Sequence, residues 1–568
     1  MHWKYRSDEA PPAPDTIEQW AGRLEVSPLL TRFLWQRGLH EQSLMQDFLN
    51  PSLQKLAALE EWPGLCQAAD LLAEKLLQGQ RLCVWGDYDV DGITATALVL
   101  DFLERHAFSA LHHIPDRIEE GYGLNSEALT RLAGQGVSIL LTVDCGISDI
   151  EAVAHAKALG MTVIVTDHHL PGDELPAADG LVNPRLAPCP CPALAGVGVA
   201  FLLMAAMNVV LCARGRERVD VRELLDLVAL GTLADVVDLN GQNRILVKNG
   251  LLKLAQGARI GIAALKSACN FAPGAFLGAG QVVFTLAPRI NAAGRLGSSH
   301  TALELLLCKD RKKAARLAAE LGRLNAERRE EEDRILDAAM AQAREQAEQG
   351  AMGLVLHAPG WHPGIIGIVA SRVVEQLHRP TVVLSDLGSF LKGSGRSVPG
   401  FDIHKAFSLC SDILLGYGGH TMAAGLSLLP GGLGELRERF ARLASEGLGG
   451  EAREGDCHID MDLDFAATDL QLLKELEMLQ PFGAGNSEPI FASPPVLIRN
   501  MRSRPGFLLL ELVDEKSGTV RTAKAWRRMA NMPQDMKGKS IRIAFTPRID
   551  RYNGAASIEL RIKDWKTD

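Results

Sequence analysis

No two of the ten cysteines in this 568-residue chain stand in CxxC spacing, which excludes both a disulfide scaffold and a paired-cysteine zinc site. Cys189-Pro-Cys191 is the one close pair. With no second pair nearby to complete four ligands, it is expected to be a proline-stiffened loop. Low-complexity tracts are also missing. With 47% hydrophobic and 23% charged residues, a disordered, collagen-like or coiled-coil chain is excluded. The opening MHWKYRSDEAPPAPD lacks the apolar core of roughly 7 to 15 residues that a secretory signal needs, so a cytoplasmic protein is expected. One uncharged stretch, Ala195 to Ala213, is about long enough to span a membrane. Apolar strands and amphipathic helices surround it, so a helix buried in an α/β core is expected, and no membrane partner.

The formal net charge of −9 is unevenly spread. Residues 491 to 568 hold 16 Lys and Arg against 8 Asp and Glu, a balance of +8, which leaves −17 for the first 490. Within this basic tail Phe507, Trp526, Phe545, Tyr552 and Trp565 lie among Arg502, Arg504, Lys524, Arg527, Arg528, Arg548 and Arg551. Aromatic faces among cations suit unpaired bases on a phosphate track. A small β-domain with aromatics in its core and arginines merely solvated has the same composition, and both readings stay open.

At roughly 150 residues per domain the length predicts three or four domains. Residues 1–60 read as short helices forming a cap, with Leu29, Leu30, Phe33 and Leu34 at helical spacing. From Arg81, RLCVWGD, ITATALVLDFLERH, SILLTVD, DIEAVAHAKALG and MTVIVTD alternate strand and helix patterns, which predicts a parallel sheet with crossover helices over 61–300. Residues 301–349 contain no proline, are rich in Ala, Glu, Arg and Leu, and end at Gly350. A continuous helix over 312–349 would run roughly 57 Å at about 1.5 Å per residue, enough to bridge two domains. GLVLHAP then begins a second α/β domain over 351–450, and glycine-rich breaks near 431–434 and 447–456 precede a β-rich module over 451–568.

The carboxylates carry the strongest signal. Asp87, Asp89 and Asp91 in GDYDVDG follow the first strand, Asp144 ends SILLTVD, and Asp167, His168 and His169 end MTVIVTD. Asp235 in GTLADVVD follows another apolar run, LLDLVAL. In a parallel sheet the C-terminal strand ends open on one edge, where such folds place their ligands. A single Asp there is usually a helix cap, the role expected of Asp149 or Ser148. Four such sites together, one with a His pair, exceed what caps explain. Clustered carboxylates raise one another's pKa unless a cation compensates. Oxygen ligands with one or two imidazoles favour Mn²⁺ over Mg²⁺. Two ions roughly 3.5 to 4 Å apart would suit metal-assisted phosphoester hydrolysis.

With these motifs the chain resembles the DHH phosphoesterases, named for the triplet found here as Asp167, His168 and His169, and among them the single-strand-specific DNA exonucleases. The resemblance rests on GDYDVDGITAT at 86–96, TVDCG at 142–146, TDHH at 166–169, GTLADVVDL at 231–239 and PRINAAGRL at 288–296. GIIGIVASR at 364–372, GSGRS at 393–397, GGHTMAAG at 418–425 and QPFGAGNSEP at 480–489 are similar to the DHHA1 and C-terminal segments of those enzymes. It implies a parallel-sheet DHH domain, a long bridging helix, an α/β DHHA1 domain and an OB-like domain. It further implies metal ligation by Asp89, Asp91, Asp144, His168 and Asp235, with Asp144 as the bridge and His169 as a ligand or a group on the scissile phosphate. Trp85 stands where small relatives have a ligating His, so Asp87 is expected either to substitute or to leave one metal held less tightly. Phosphate-binding candidates are Arg289, Asn291 and Arg295 in an apolar loop, Ser371 and Arg372 closing a helical pattern, and Ser394 and Arg396 in GSGRS. In GSGRS the glycines would admit backbone N–H groups to an anion, and Gly419 and His420 share that setting. The DRIEEGYGLN loop, Asp116 to Asn125, reads equally as substrate loop or connection. The activity implied is 5′ to 3′ degradation of single-stranded DNA to nucleoside 5′-monophosphates by a monomer, in repair and recombination, with a single-strand-binding protein and a recombination helicase as partners. A phosphatase of very short oligonucleotides and a non-catalytic strand-binding scaffold are the competing readings.

Overall fold

Strands Leu82–Gly86, Ile139–Val143 and Thr162–Thr166 are buried almost throughout, as strands of a parallel sheet covered on both faces must be. In the computed structural model, which describes residues 2–6, 9, 11–117, 119–186, 188–449, 456–526, 532–533, 536–550 and 557–567, they form the middle of a five-stranded sheet. Its order is Ala110–His113, Leu82–Gly86, Ile139–Val143, Thr162–Thr166, Gly180–Val182, all parallel. Helices Ser126–Gly134 and Ile150–Ala158 seal one face with Leu129, Leu132, Val153 and Ala156. The uncharged stretch forms helix Gly196–Ala213, which is long and apolar enough to cross a membrane yet lies largely inside the fold. The chain divides into two compact units. This sheet belongs to the unit Ala57–Val237 with Gly250–Arg453; the other comprises Met1–Leu56, Asp238–Asn249 and Glu454–Asp568.

Two segments of this unit are helical where the sequence suggests otherwise. LLDLVAL is not a strand but most of helix Leu225–Ala234, so Asp235 caps a helix C-terminus. Residues 225 to 233 are all buried, and a helix buried on every side has no periodicity to distinguish it from a buried strand. PRINAAGRL is not a loop but helix Ala287–Leu296, entered through a π-helical turn, Val282–Leu286. Pro288 is tolerated because it lies in the first turn, where an N–H is not needed.

Helix Arg311–Glu348 runs unbroken for 38 residues, started by the Asp310 side chain accepting from Lys313 N–H. Ala314, Ala318 and Leu321 are buried in its first half, and Ile335, Ala339, Met340 and Ala343 pack on the second lobe of the same unit. That lobe is a five-stranded sheet ordered Leu414–His420, Ala423–Leu428, Leu391–Arg396, Thr381–Asp386, Leu354–His357, antiparallel except for the last pair. GSGR is therefore a ladder strand and not an anion-cradling loop. Its backbone is paired on both sides, and a Cβ at Gly393 or Gly395 would strike Leu384 or Ile403.

In the other unit, strands Ser540–Asp550 and Ser557–Thr567 close a seven-stranded sheet on itself. Phe491, Leu510, Ile543 and Phe545 from this barrel share one core with Leu30, Phe33 and Leu34 of the N-terminal helices. An unforeseen strand, His2–Tyr5, pairs in parallel with Asp456–Ile459.

Candidate active site

The turn after Leu82–Gly86 delivers three carboxylates to one place. Asp89 is the N-cap of helix Val90–Arg105, its Oδ1 accepting from Asp91 N–H at 2.8 Å and Gly92 N–H at 3.1 Å. Asp91 accepts from Gly196 N–H at 2.6 Å and Val197 N–H at 3.0 Å, so the N-terminus of the apolar helix faces an anion. Asp144 follows its strand in the left-handed region, φ 63°, a conformation Asp adopts more readily than most residues. Asp235 arrives from its helix C-terminus. His168 Nε2 lies 3.1 Å from Asp144 Oδ1, 3.5 Å from Asp235 Oδ2 and 4.0 Å from Asp91 Oδ2.

Ligand atoms of Asp91, His168 and Asp235 all lie within 4.8 Å of one another, and so do those of Asp87, Asp89 and Asp144. Asp144 and His168 also form such a group with His169. Four buried atoms of the cluster, Asp87 Oδ1, Asp144 Oδ1, His168 Nε2 and Asp235 Oδ2, have no hydrogen-bond partner among the described residues. Burying them unpaired is costly, and carboxylate oxygens with an imidazole are what a divalent cation takes. The residues present therefore fit divalent metal. Burial, then repulsion from its neighbours, drives Asp144 well above the carboxylate range. Burial and Asp89 do the same to Asp87, and burial with Asp91 raises Asp235 to about 9. Burial with the neighbouring His169 brings His168 down to about 4, so it is neutral, and its bond to the Leu194 backbone leaves Nε2 free. Space is tight: a Cβ at Gly196 would sit 2.5 Å from Asp144 Oδ1, and one at Gly231 2.7 Å from Asp91 Oδ1. Trp85 is core, its ring 4.2 Å from that of His113.

Both carboxylate oxygens of Asp167 are already hydrogen-bonded within the chain. Its Oδ2 accepts from Ile147 N–H at 3.0 Å, and its Oδ1 from the backbone N–H groups of His168 and His169 and from His169 Nδ1 at 2.7 Å. Burial works against a charged His169, but Asp167 prevails and lifts it to about 9.

Beside the carboxylates lies a group of arginines. Arg295, on helix Ala287–Leu296, donates to Gly364 O at 2.7 Å. Burial, then Arg117, Arg328 and Arg396, lowers its pKa to about 9. Arg396 donates to Ser394 Oγ at 3.0 Å and lies against Gly367, where a Cβ would be 3.0 Å from its guanidinium. Arg117 stacks 4.8 Å over Tyr88. Cations that repel one another in a half-buried place call for an anion. Arg117 and Arg328 were not singled out in the sequence: one sits in the undecided DRIEEGYGLN loop, the other reads as a surface charge on the long helix.

Other candidates fall elsewhere. Asn291 is one turn before Arg295 on the same helix face, whereas Arg289 turns back to Thr285 O. Ser371 bonds Gly367 O within its helix, and Arg372 pairs with Glu332 and Glu375. His420, beside Gly419 on an edge strand, lines a cavity of about 230 Å³ with Tyr122, Asp167 and His169. Asp149 is no side-chain cap for its helix; its carboxylate accepts from Leu124 N–H instead.

The barrel divides the aromatic residues of the basic tail. Phe545 is core and Trp565 packs against it, while the rings of Phe507 and the 46% exposed Trp526 lie 4.7 Å apart, tilted by 35°, with Lys524 over Phe507. Lys524 also pairs with Glu559, and Arg548 with Glu488. Arg527, Arg528, Arg551 and Tyr552 lie outside the described residues.

A parallel sheet with this acid and histidine edge, a long helix and a second α/β lobe defines a protein of the DHH class. Family models agree: the DHH family N-terminal domain matches residues 81–232, the DHHA1 domain 350–446 and the RecJ OB domain 459–564. The chain belongs to the RecJ family. It is 37% identical to the single-stranded-DNA-specific exonuclease RecJ of Dickeya dadantii, over 94% of this chain and 95% of that protein. With the Escherichia coli RecJ it shares 35%, over 95% and 96%. The crystal structure of RecJ from Thermus thermophilus in complex with Mn²⁺ superposes with a TM-score of 0.85 at 31% identity, covering all of this chain and 80% of that one.

Proposed function

We propose that this protein is a metal-dependent exonuclease that degrades single-stranded DNA from its 5′ end to nucleoside 5′-monophosphates. The observation that carries the reading is the set of four buried donors without a partner among the described residues at Asp87, Asp144, His168 and Asp235, in a chain alike over nearly its whole length to single-stranded-DNA-specific exonucleases. Asp91, His168 and Asp235 would hold one divalent cation, and Asp87, Asp89 and Asp144 a second, with Asp144 between them; Mn²⁺ suits the donors best, with Mg²⁺ the alternative. When bound, the cations would supply positive charge to the phosphoryl centre and an acidified water.

The chain's own residues account for the rest. Arg117, Arg295 and Arg396 would grip the terminal phosphate, where bidentate guanidinium contacts fix the register of the strand. Asn291 would support that grip from the Arg295 face. His169, protonated with Nδ1 held by Asp167, would donate a hydrogen bond through Nε2 to the scissile phosphate. His420 would close the far side of the cavity beside it. The Phe507–Trp526 face of the barrel would stack unpaired bases. A single-strand-binding protein and a recombination helicase are the proposed partners.

The test is degradation of a DNA of about 40 nucleotides, several times the roughly 4 to 16 nucleotides one OB fold covers. It is labelled at either end, single- or double-stranded, with Mn²⁺ or EDTA. Metal-dependent release of mononucleotides from the 5′ end of the single strand alone is expected. Tight binding without cleavage, or hydrolysis confined to very short oligonucleotides, would overturn the reading.

A further inference from the structure

We infer that Tyr122 is the residue that positions His169, and that the loop Asp116–Asn125 is built to hold it there. The inference rests on the proposal that His169 acts on the scissile phosphate. The Tyr122 hydroxyl lies 3.2 Å from His169 Nδ1 and 3.3 Å from the Asp144 carbonyl oxygen. It accepts from the imidazole and donates to the carbonyl, so one oxygen ties the histidine to the backbone of the central carboxylate. Asp167 Oδ1 holds the same Nδ1 at 2.7 Å. The ring is thereby gripped at Nδ1 by two groups, and Nε2 is the nitrogen left to meet a phosphoryl oxygen. The two rings meet edge to face, with centroids 5.8 Å apart.

The loop is shaped around this tyrosine. Gly121 and Gly123, at φ 85° and 87°, flank it in the left-handed region, where a side chain would be strained. A Cβ at Gly123 would also lie 2.6 Å from both oxygens of Asp149. Asp149 stands at the N-cap of helix Ile150–Ala158 yet gives its carboxylate to Leu124 N–H at 2.9 Å. Glu120 accepts from Asp116 N–H and from Asn125 Nδ2, and contacts His113 Nε2 at 2.9 Å. Tyr122 itself stays 49% exposed as a wall of the cavity that also bears His169 and His420. A ring serving only to fill the loop would be covered, and its hydroxyl would have no reason to reach the histidine.

A double-mutant cycle on the full-length protein with Mn²⁺ and a 5′-phosphorylated single strand tests this. Tyr122→Phe should lower kcat about tenfold, as loss of a group that orients a catalytic partner does, with KM within about twofold. His169→Asn should cost about 100-fold in kcat, and adding Tyr122→Phe to it should cost nothing more. An undiminished loss in the His169→Asn background, or a raised KM at unchanged kcat, would overturn the inference while leaving the function proposed for His169 intact. Full kcat in His169→Asn would overturn both. Should Tyr122→Phe melt early, Tyr122→Leu, which also removes the hydroxyl, is expected to reproduce the kcat loss only when His169 is present; a loss independent of His169 would count against the inference.

Discussion

Asp144 is the carboxylate on which the candidate site converges: its Oδ1 lies 3.1 Å from His168 Nε2, and its ligand atoms group with Asp87 and Asp89 on one side and with the histidines on the other. Asp144→Ala should therefore lower kcat by about 10²- to 10³-fold or more, the scale of losing one stabiliser of developing charge. Affinity for single-stranded DNA should be little changed; retained turnover would remove Asp144 from the centre. The same residues set a pH dependence. Without metal, burial and neighbouring carboxylates raise Asp91 to about 7, and burial with Asp91 raises Asp235 to about 9. Groups raised in the folded state stabilise fully below the ordinary carboxylate range and lose that contribution as pH climbs through the raised values. Neutral His168, brought down to about 4, opposes this loss up to its ordinary value, so the melting temperature in EDTA should fall between about pH 7 and pH 9. Saturating Mn²⁺ should flatten this fall, because cations replace the protons. A melting temperature in EDTA that holds steady or rises over that range would refute the electrostatic account.

The long helix depends on one buried group of charges. Arg328 and Glu332 pair at 2.6 Å, Asn325 accepts from Arg328, and Arg372 reaches Glu332 from the second lobe. Glu332→Ala leaves a buried guanidinium without its anion, so it should destabilise this unit by about 3 to 5 kcal/mol, read as a lower urea midpoint. The exposed pairs of Arg323 with Glu320 and Glu327, on the same helix, should each be worth less than about 1 kcal/mol. Sequence makes these two groups look alike; only burial separates them.

At the scale of the molecule, the N-terminal helices and the C-terminal barrel are one folding unit, since Leu30, Phe33 and Leu34 share a core with Phe491 and Phe545. Deleting residues 491–568 should unfold that unit, visible as loss of its cooperative melt, and so cannot isolate a binding role. Trp526→Ala can. It should weaken strand binding by about 1 to 3 kcal/mol, the worth of one stacked base, without changing the slope of affinity against salt, because no phosphate contact is lost. An unchanged affinity would make the Phe507–Trp526 face a structural feature only.

The central sheet, the long helix and the acid and histidine cluster were legible in the sequence, because strand ends and 3.6-residue periodicity are local and all the carboxylates but Asp235 follow recognisable strands. Where periodicity vanished, the pattern misled: LLDLVAL, buried on every side, and PRINAAGRL, opening with a proline, are both helices. GSGRS looked like an anion loop because glycine serves close strand packing as readily as it serves a turn. Arg117, Arg328 and Tyr122 could not be assigned, since their meaning lies in partners dozens to hundreds of residues away. By itself the sequence determined the chemistry of the donors and the order of the elements. Only the tertiary structure decided which donors are buried without a partner, which arginines crowd one another, and that Asp167 and Tyr122 orient His169, because desolvation and distance arise only when the chain is packed.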